Sequence, residues 1–292
     1  PRLSSAASDV YKRQIYYNRS ELTNLFRFKD TYPKYIIKTA DTKKEQRQAQ
    51  QLRYKVFADE IKAITDSKGL LKKREVDSYD EESQHIIVKV KTSPFSLEKI
   101  VGVYRIMEYN SSTDLDKSYS ASGMGFNISL FKKNIPYHRF LELGRTCILP
   151  EYRKSSVLKL LWKGLYKYIV DNDIDILFGC ASFWTIDPDD IHEQLTYLKK
   201  NYLMDNGIMV SPRDDLYADN GIGLANINYD IPQHMTDMEI FKSLPSLIKA
   251  YIKVGSKFGD GAVIDYEFGS IDVFTYVDVN RIDYRVKNYY SK

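Results

Sequence analysis

Apolar positions change period along the chain, and the changes mark out elements. Tyr35–Lys38 reads as a short strand. Thr42-Lys43-Lys44-Glu45 then has the form of a capping box, opening a helix with Ala49, Leu52, Val56 and Phe57 on one stripe. Gln84–Lys91 alternates, and Ile100–Met107 follows after a turn containing Pro94, so the two predict an antiparallel hairpin. Phe140–Leu149 is an apolar run with β-branched residues near its end, stopped at Pro150. Val157, Leu160, Leu161, Leu165 and Tyr168 recur at helical spacing with lysines between them, and Ile174–Ser182 is again strand-like.

Later signals are mixed. Asp187-Pro188 suits the start of a helix ending near Tyr202, Ser211–Gln233 reads as irregular, and a helix is expected from Pro245 through Tyr251. Val263-Ile264 and Ile271–Val279 are expected to close the sheet, with a polar, frayed tail after Asn280. Ser111–Ser122 reads as a Ser/Asp-rich loop, and Gly123–Asn134 has no clear pattern.

Composition narrows the class. With 292 residues, 43% of them hydrophobic, one large domain is expected, and the net charge of +4 suits an acidic protein partner or an anionic membrane face without requiring either. Two cysteines, Cys147 and Cys180, imply no disulfide framework, and no apolar run approaches the ~20 residues of a membrane span. Four scattered histidines give no metal-ligand spacing. Asp9–Gln14 resembles the translated end of a sequencing-library adapter, so residues 1–14 are set aside; a genuine N-terminal segment is the alternative. This leaves 15–33 as an extension, 34–280 as the domain with 184–240 as an irregular insert or lid, and 281–292 as a polar tail.

Three clusters carry candidate chemistry. In Glu142-Leu143-Gly144-Arg145, the alternation of a strand sends Glu142 and Arg145 to opposite faces. A bulge at Gly144 would bring both to one face and open the strand from its neighbour; the alternative is a plain Glu–Arg pair at a strand end. The turn Arg153-Lys154-Ser155-Ser156 precedes a helix, so it offers backbone N–H groups and positive charge to a phosphate, or it is an ordinary solvated loop. Glu75, Asp77 and Asp80 form a solvated loop, hold an amine, or pair with Arg53 and Arg105. Arg53 lies one step off the apolar stripe, where surface charge is the simplest expectation.

Together these stretches resemble GNAT-type acyltransferases, and within them the branch that acts on acyl carrier proteins. Leu52–Phe57 is similar to that branch's first helix, Glu75–Asp80 with His85 to its acidic motif, and Val101–Arg105 and Glu142–Arg145 complete the series, which homoserine-lactone autoinducer synthases share. Leu160–Leu165, Gly179–Phe183, Leu244–Tyr251 and Gly259–Phe268 ahead of Asp272-Val273 resemble the L-ornithine Nα-acyltransferases, sometimes labelled hemolysin-like. The resemblance implies an α/β fold with a mostly antiparallel central sheet, a splayed bulged strand and helices on both faces. It implies transfer of a (3-hydroxy)fatty acyl group from acyl carrier protein to an amino-acid α-amine, with no bound cofactor, no metal and no nucleic acid.

Implied roles follow residue by residue. Glu142, Arg145 and Arg105 stand at the chemistry, Glu142 as base and Arg105 also as a holder of the acceptor's carboxylate. Arg53, Phe57, Glu75, Asp77 and Asp80 shape the substrate site. Arg153, Lys154, Ser155, Ser156 and Lys159 meet the phosphopantetheine phosphate and the carrier protein. No glycine-rich phosphate loop follows the bulged strand, which favours a carrier-protein thioester over coenzyme A. The expected location is cytoplasmic, with peripheral contact at the membrane face allowed. Three alternatives remain: an autoinducer synthase using S-adenosylmethionine, an acyltransferase for glycine or another amine, and a membrane-active protein. Covalent catalysis through Cys147 or Cys180 is the chemical rival, disfavoured because neither has a neighbouring His.

Overall fold

The computed structural model describes residues 32–63, 71–135, 137, 139–216, 221–229 and 234–291. The segment 1–14 and nearly all of 15–33 therefore lie outside the described residues. Contacts separate a larger unit, 36–89 with 100–292, from a smaller one that includes 90–99. Within the smaller unit, Ser93 and Ser96 close a tight turn, each accepting a backbone N–H of the other's neighbourhood through its hydroxyl.

The larger unit is built on a sheet in the order β1–β2–β3–β5–β6–β11–β10–β8. The first half comprises β1 (Lys34–Thr39), β2 (Gln84–Lys91), β3 (Lys99–Tyr109) and β5 (Phe140–Ile148), with a two-residue β4 (Phe126–Asn127) off to the side. The second half comprises β6 (Ile176–Phe183), β8 (Ile222–Leu224), β10 (Val263–Asp265) and β11 (Ser270–Asp278). Short β7 (Ser211–Pro212) pairs with β4, and β9 (Lys257–Phe258) pairs with β11. β3–β5, β6–β11, β11–β10 and β10–β8 are antiparallel, and β5–β6 is parallel. A mostly antiparallel α/β sheet is what the sequence led us to expect.

Helix α1 (Lys43–Tyr54) begins at the predicted N-cap, Thr42 Oγ1 accepting from Glu45 N at 3.1 Å, but the box closes differently: the Glu45 carboxylate accepts from Asp41 N at 3.3 Å. It buries Ala49 and Leu52 and runs into a wider π turn at Lys55–Glu60, where Val56 and Phe57 are buried. Helices α2 (Ser129–Asn134) and α3 (Val157–Asp171) come next, and Gly102 of β3 lets α3 lie close: a Cβ there would stand 2.6 Å from Val157 Cγ1. α4 (His192–Tyr202), α5 (Asp237–Ser243), α6 (Ser246–Lys253) and α7 (Tyr284–Ser291) complete the set. The tail expected to fray is thus largely helical, and the Tyr290 ring stacks on Trp162 of α3 at 5.7 Å. The pairing explains the difference: a polar stretch gains a helix when its aromatics find an apolar surface. Phe131, Phe140, Phe178 and Phe274 centre the core beside β5, β6 and β11.

Two local features open this sheet. β5 and β6 pair only from Phe140↔Ile176 to Leu143↔Gly179 and then part. Gly179 sits at the point of departure with φ 158°, and a Cβ on it would lie 2.3 Å from the Leu143 carbonyl oxygen, so only glycine allows the approach. On the other edge, β5 pairs Gly144 with Arg105 and Cys147 with Val103, leaving Arg145 and Thr146 opposite one residue. The bulge therefore lies one step beyond Gly144, where the sequence had suggested it. Arg145 itself takes the left-handed conformation, φ 51°, at a cost of about 1–3 kcal/mol for a non-glycine residue.

Candidate active site

The gap between β5 and β6 holds a cavity of about 300 Å³. Glu142, Gly144, Arg145 and Thr146 line it from β5, Arg105 from β3, and Cys180 to Ser182 from β6. Bulge and splay together bring Glu142 and Arg145 to one space, which strict alternation would have prevented.

Behind this wall lies a compact charge cluster. Arg53 is wholly buried, against the surface position its place beside the apolar stripe suggested. Its guanidinium contacts Glu75, gives two hydrogen bonds of 2.5 and 2.8 Å to Asp80, and reaches His85 Nε2 at 2.9 Å. Arg105 Nη1 donates to both Asp77 oxygens at 2.6 Å, and Arg145 joins Glu75 and Asp77 at 3.1 Å. Against its burial, the Arg53 guanidinium beside Asp80 holds that carboxyl well below its usual range. Burial pulls His85 down to about 4, so it serves as a neutral acceptor for Arg53 and not as a base. Of the three readings of Glu75, Asp77 and Asp80, the structure selects pairing with arginine. Three arginines meet three carboxylates, and the cluster is neutral.

Glu142 stands apart from this cluster. It is buried and pairs with no cation among the described residues. Tyr109 Oη and Tyr119 N donate to Oε2 at 3.0 Å; Ser120 N and Oγ donate to Oε1 at 2.7 and 2.6 Å. The plain Glu142–Arg145 pair, the alternative reading of this strand end, is absent from these contacts. Three of the four donors come from Tyr119 and Ser120 of the π turn Tyr119–Gly123, within the stretch that read as loop, and the fourth from Tyr109 at the end of β3. No local signal pointed to Tyr119 and Ser120, because their partner lies more than 20 residues away.

Arg105 contributes an unfilled edge. It is 1% exposed, yet its Nε and Nη2 have no hydrogen-bond partner among the described residues, and both lie about 4 Å from where a Cβ on Gly144 would stand. Gly144 is therefore a matter of space under the guanidinium. Tyr119 lies beneath both Arg105 and Arg145, with ring-centroid distances of 5.6 and 4.7 Å. Phe57 lines the cavity and meets Phe268 edge to face at 5.5 Å.

The far wall was not anticipated. Of the segment 184–240, expected to act as a cover, Trp184 alone lines the cavity among the described residues. Pro245–Ile248 with Tyr251, and Asp265 to Asp272, form that side instead. Asp265 and Asp272 are each 4% exposed. Burial raises both carboxyls, Asp265 to about 6. The sequence did offer a signal, two aspartates in otherwise apolar strand positions, but only the fold turns them toward the same gap as Glu142. Cys180 also lines the gap, and burial pushes both cysteine thiols up, which leaves little thiolate for covalent catalysis.

The proposed phosphate turn is partly engaged. Arg153 gives Glu60 two bonds of 2.6 Å, Ser155 Oγ donates to the Tyr152 carbonyl at 2.6 Å, and Ser156 stands immediately before α3. Lys154 is exposed, and Lys159 Nζ lies 4.1 Å over the Tyr289 ring.

A mixed sheet opened by a bulged strand, with polar groups converging on the gap, defines an acyltransferase of the GNAT type. The family model described as an acetyltransferase (GNAT) domain matches residues 52–163. The chain is 34% identical over 244 residues to an L-ornithine N(alpha)-acyltransferase of Rhizobium meliloti, covering 83% of this chain and 79% of that one. It is 33% identical over 245 residues to the Agrobacterium fabrum protein of that name, covering 83% and 80%. The Brucella abortus protein of the same name is 31% identical, covering 87% and 88%. The chain belongs to the L-ornithine N(alpha)-acyltransferase family. Among solved structures, a CoA-dependent acyl-homoserine lactone synthase aligns over 88% of both chains at 13% identity and a TM-score of 0.44. The protein is thus an N-acyltransferase that joins an acyl thioester to an amino-acid acceptor. Among the described residues, no helix is long and apolar enough to cross a membrane.

Proposed function

We propose that this enzyme transfers a (3-hydroxy)fatty acyl group from acyl carrier protein to the α-amine of ornithine, giving a lyso-aminolipid at the cytoplasmic membrane face. The carrying observation is the cavity in the β5–β6 gap, which has the unpaired edge of Arg105 on one side and Glu142 with Ser120 on another. Arg105 Nε and Nη2 form a fork that fits the acceptor's carboxylate. The α-amine is a cation near neutral pH and must lose a proton. That proton passes to Glu142, through the Ser120 hydroxyl already bonded to it. The amine nitrogen then attacks the thioester carbon; the C–N bond forms, the C–S bond breaks, and the second proton that the nitrogen sheds on becoming an amide goes to the leaving phosphopantetheine sulfur. Backbone N–H groups at the Arg145–Thr146 bulge are the donors offered to the oxyanion. Lys154 and Lys159, with Ser155, Ser156 and Arg153 at the start of α3, receive the phosphodiester and the acidic face of the carrier protein.

The test is a purified assay with 3-hydroxyacyl carrier protein and ornithine, read by mass spectrometry, beside lipid extracts of a host lacking aminolipids. A new Nα-acyl-ornithine in both supports the reading. Folded protein that leaves donor and acceptor unchanged overturns it, and activity with acyl-CoA alone overturns the carrier-protein part.

A further inference from the structure

The neutral cluster of Arg53, Arg105 and Arg145 with Glu75, Asp77 and Asp80 leaves three cavity carboxylates outside it: Glu142, Asp265 and Asp272. None of these three pairs with a cation among the described residues. Glu142 is filled by four donors, which match the lone-pair sites of a carboxylate. Asp272 takes one hydroxyl on each oxygen, Ser182 at 2.5 Å and Ser270 at 2.7 Å. Asp265 differs. Glu267 N and Phe268 N both donate to Oδ1, at 3.0 and 2.9 Å, and Oδ2 accepts nothing among the described residues.

Register places the two aspartates together. Asp265 pairs with Ser270, and Asp272 lies two residues further along β11, so all three share one face of the sheet. Ser182 pairs with Asp272 across β6 and β11 and gives it a hydroxyl, continuing the polar surface toward the gap. A second observation points to a ligand in the same cavity: the buried, unpartnered edge of Arg105. A cavity with a free cationic fork and a free carboxylate oxygen matches a zwitterion that carries one further ammonium.

From this geometry we infer that Asp265, supported by Asp272, binds the side-chain ammonium of the acceptor and thereby selects a diamino acid. This rests on the acyltransfer reading above. The acceptor's carboxylate meets Arg105, its α-amine meets the Ser120 hydroxyl that leads to Glu142, and its second ammonium meets Asp265 Oδ2. A buried carboxylate without a cation is costly, and the ligand's ammonium removes that cost on binding. Burial already raises the Asp265 carboxyl, as expected of a site completed by its ligand. Asp272, with rotatable hydroxyls on both oxygens, adds negative potential and hydrogen bonds that reorient as the ammonium enters.

The test compares two acceptors of equal carbon length, ornithine and norvaline, which lacks the side-chain amine, with the same acyl donor. Wild-type enzyme should favour ornithine by about 100-fold or more in kcat/KM, since rejecting an analogue leaves the buried carboxylate unpaired. Asp265→Asn should collapse that ratio by at least about 30-fold, and Asp272→Asn by less. An unchanged ratio in folded Asp265→Asn protein overturns the assignment. Wild-type enzyme that does not discriminate overturns it too, even if the variant fails to fold. Protein inert toward both acceptors would instead remove the acyltransfer reading itself, so the two failures are distinguishable.

Discussion

Ser120 gives Glu142 Oε1 two donors at once, its backbone N at 2.7 Å and its hydroxyl at 2.6 Å. The backbone bond fixes the carboxylate; the hydroxyl bond lines the cavity and can carry a proton. Glu142→Gln keeps the size but turns an acceptor into a donor facing donors. It should lower kcat by about 100-fold or more, within the 10²–10⁴ range of general-base catalysis. Ser120→Ala removes only the hydroxyl route and should lower kcat by about tenfold with little change in donor KM. Equal, small effects of both variants would remove the proton path. Steady-state kinetics with a saturating donor make the comparison.

Arg105→Lys tests the unfilled edge. Lysine retains a charge for Asp77 but presents no fork. The expected result is an acceptor KM raised by about 10–100-fold, with donor KM unmoved. A rise in donor KM alone would place Arg105 on the wrong substrate.

Asp265 also predicts a pH effect on the free enzyme. Its folded-state carboxyl is raised to about 6 from an ordinary 3.8. Below about pH 4 it is protonated in both states and its burial carries no penalty; as pH rises through 6, the folded state must hold a buried charge and stability is lost, by about 2–3 kcal/mol. Asp265→Asn should therefore match wild type near pH 4 and exceed its melting temperature at pH 8. His85 acts oppositely, because its depressed pKa of about 4 lowers stability as pH falls from 6.5, so only the difference between variant and wild type isolates Asp265. A variant that melts earlier at pH 8 would contradict the burial argument.

These predictions draw on residues that the sequence exposed to very different degrees. The strands around the gap and helix α3 announce themselves through periodicity, because burial on one face imposes a spacing. Gly144 next to charged residues pointed to a bulge, but which residue absorbs the extra length depends on cross-strand register, and that fell to Arg145. Surface charge was the simplest expectation for Arg53 because its two neutralising carboxylates, Glu75 and Asp80, are distant in sequence. Tyr119 and Ser120 were invisible as site residues for the same reason, and Asp265 and Asp272 stood out only as aspartates in apolar strands, with nothing to say what they face. A polar residue acquires a role from what the fold sets against it, and no local pattern encodes that.

Lys154 and Lys159 test the donor face. Lys154 is exposed and Lys159 rests on Tyr289, while Arg153 is occupied by Glu60. Contacts between exposed charges act mainly on encounter and weaken with salt. Lys154→Glu with Lys159→Glu should raise the KM for acyl carrier protein by about tenfold at low salt and by much less at high salt, without changing the acceptor KM. A salt-independent loss would mean that the lysines support the fold and not the carrier. Unchanged kinetics would move the carrier to another surface.

The departure of β5 from β6 rests on Gly179, so its replacement should act on the fold before the chemistry. A Cβ there meets the Leu143 carbonyl at 2.3 Å, a backbone atom that no rotamer change can move. Either the parallel pairing from Phe140 to Leu143 breaks, or the gap changes width. Gly179→Ala should lose at least about 2 kcal/mol in denaturant unfolding, within the range for strained backbone positions. The same change at Gly144, where the nearest atoms are the Arg105 guanidinium nitrogens about 4 Å away, should fold nearly as well as wild type and raise the acceptor KM. Opposite behaviour, with Gly179→Ala stable and Gly144→Ala unfolded, would show that the gap is held by the bulge and not by the close approach of the two strands.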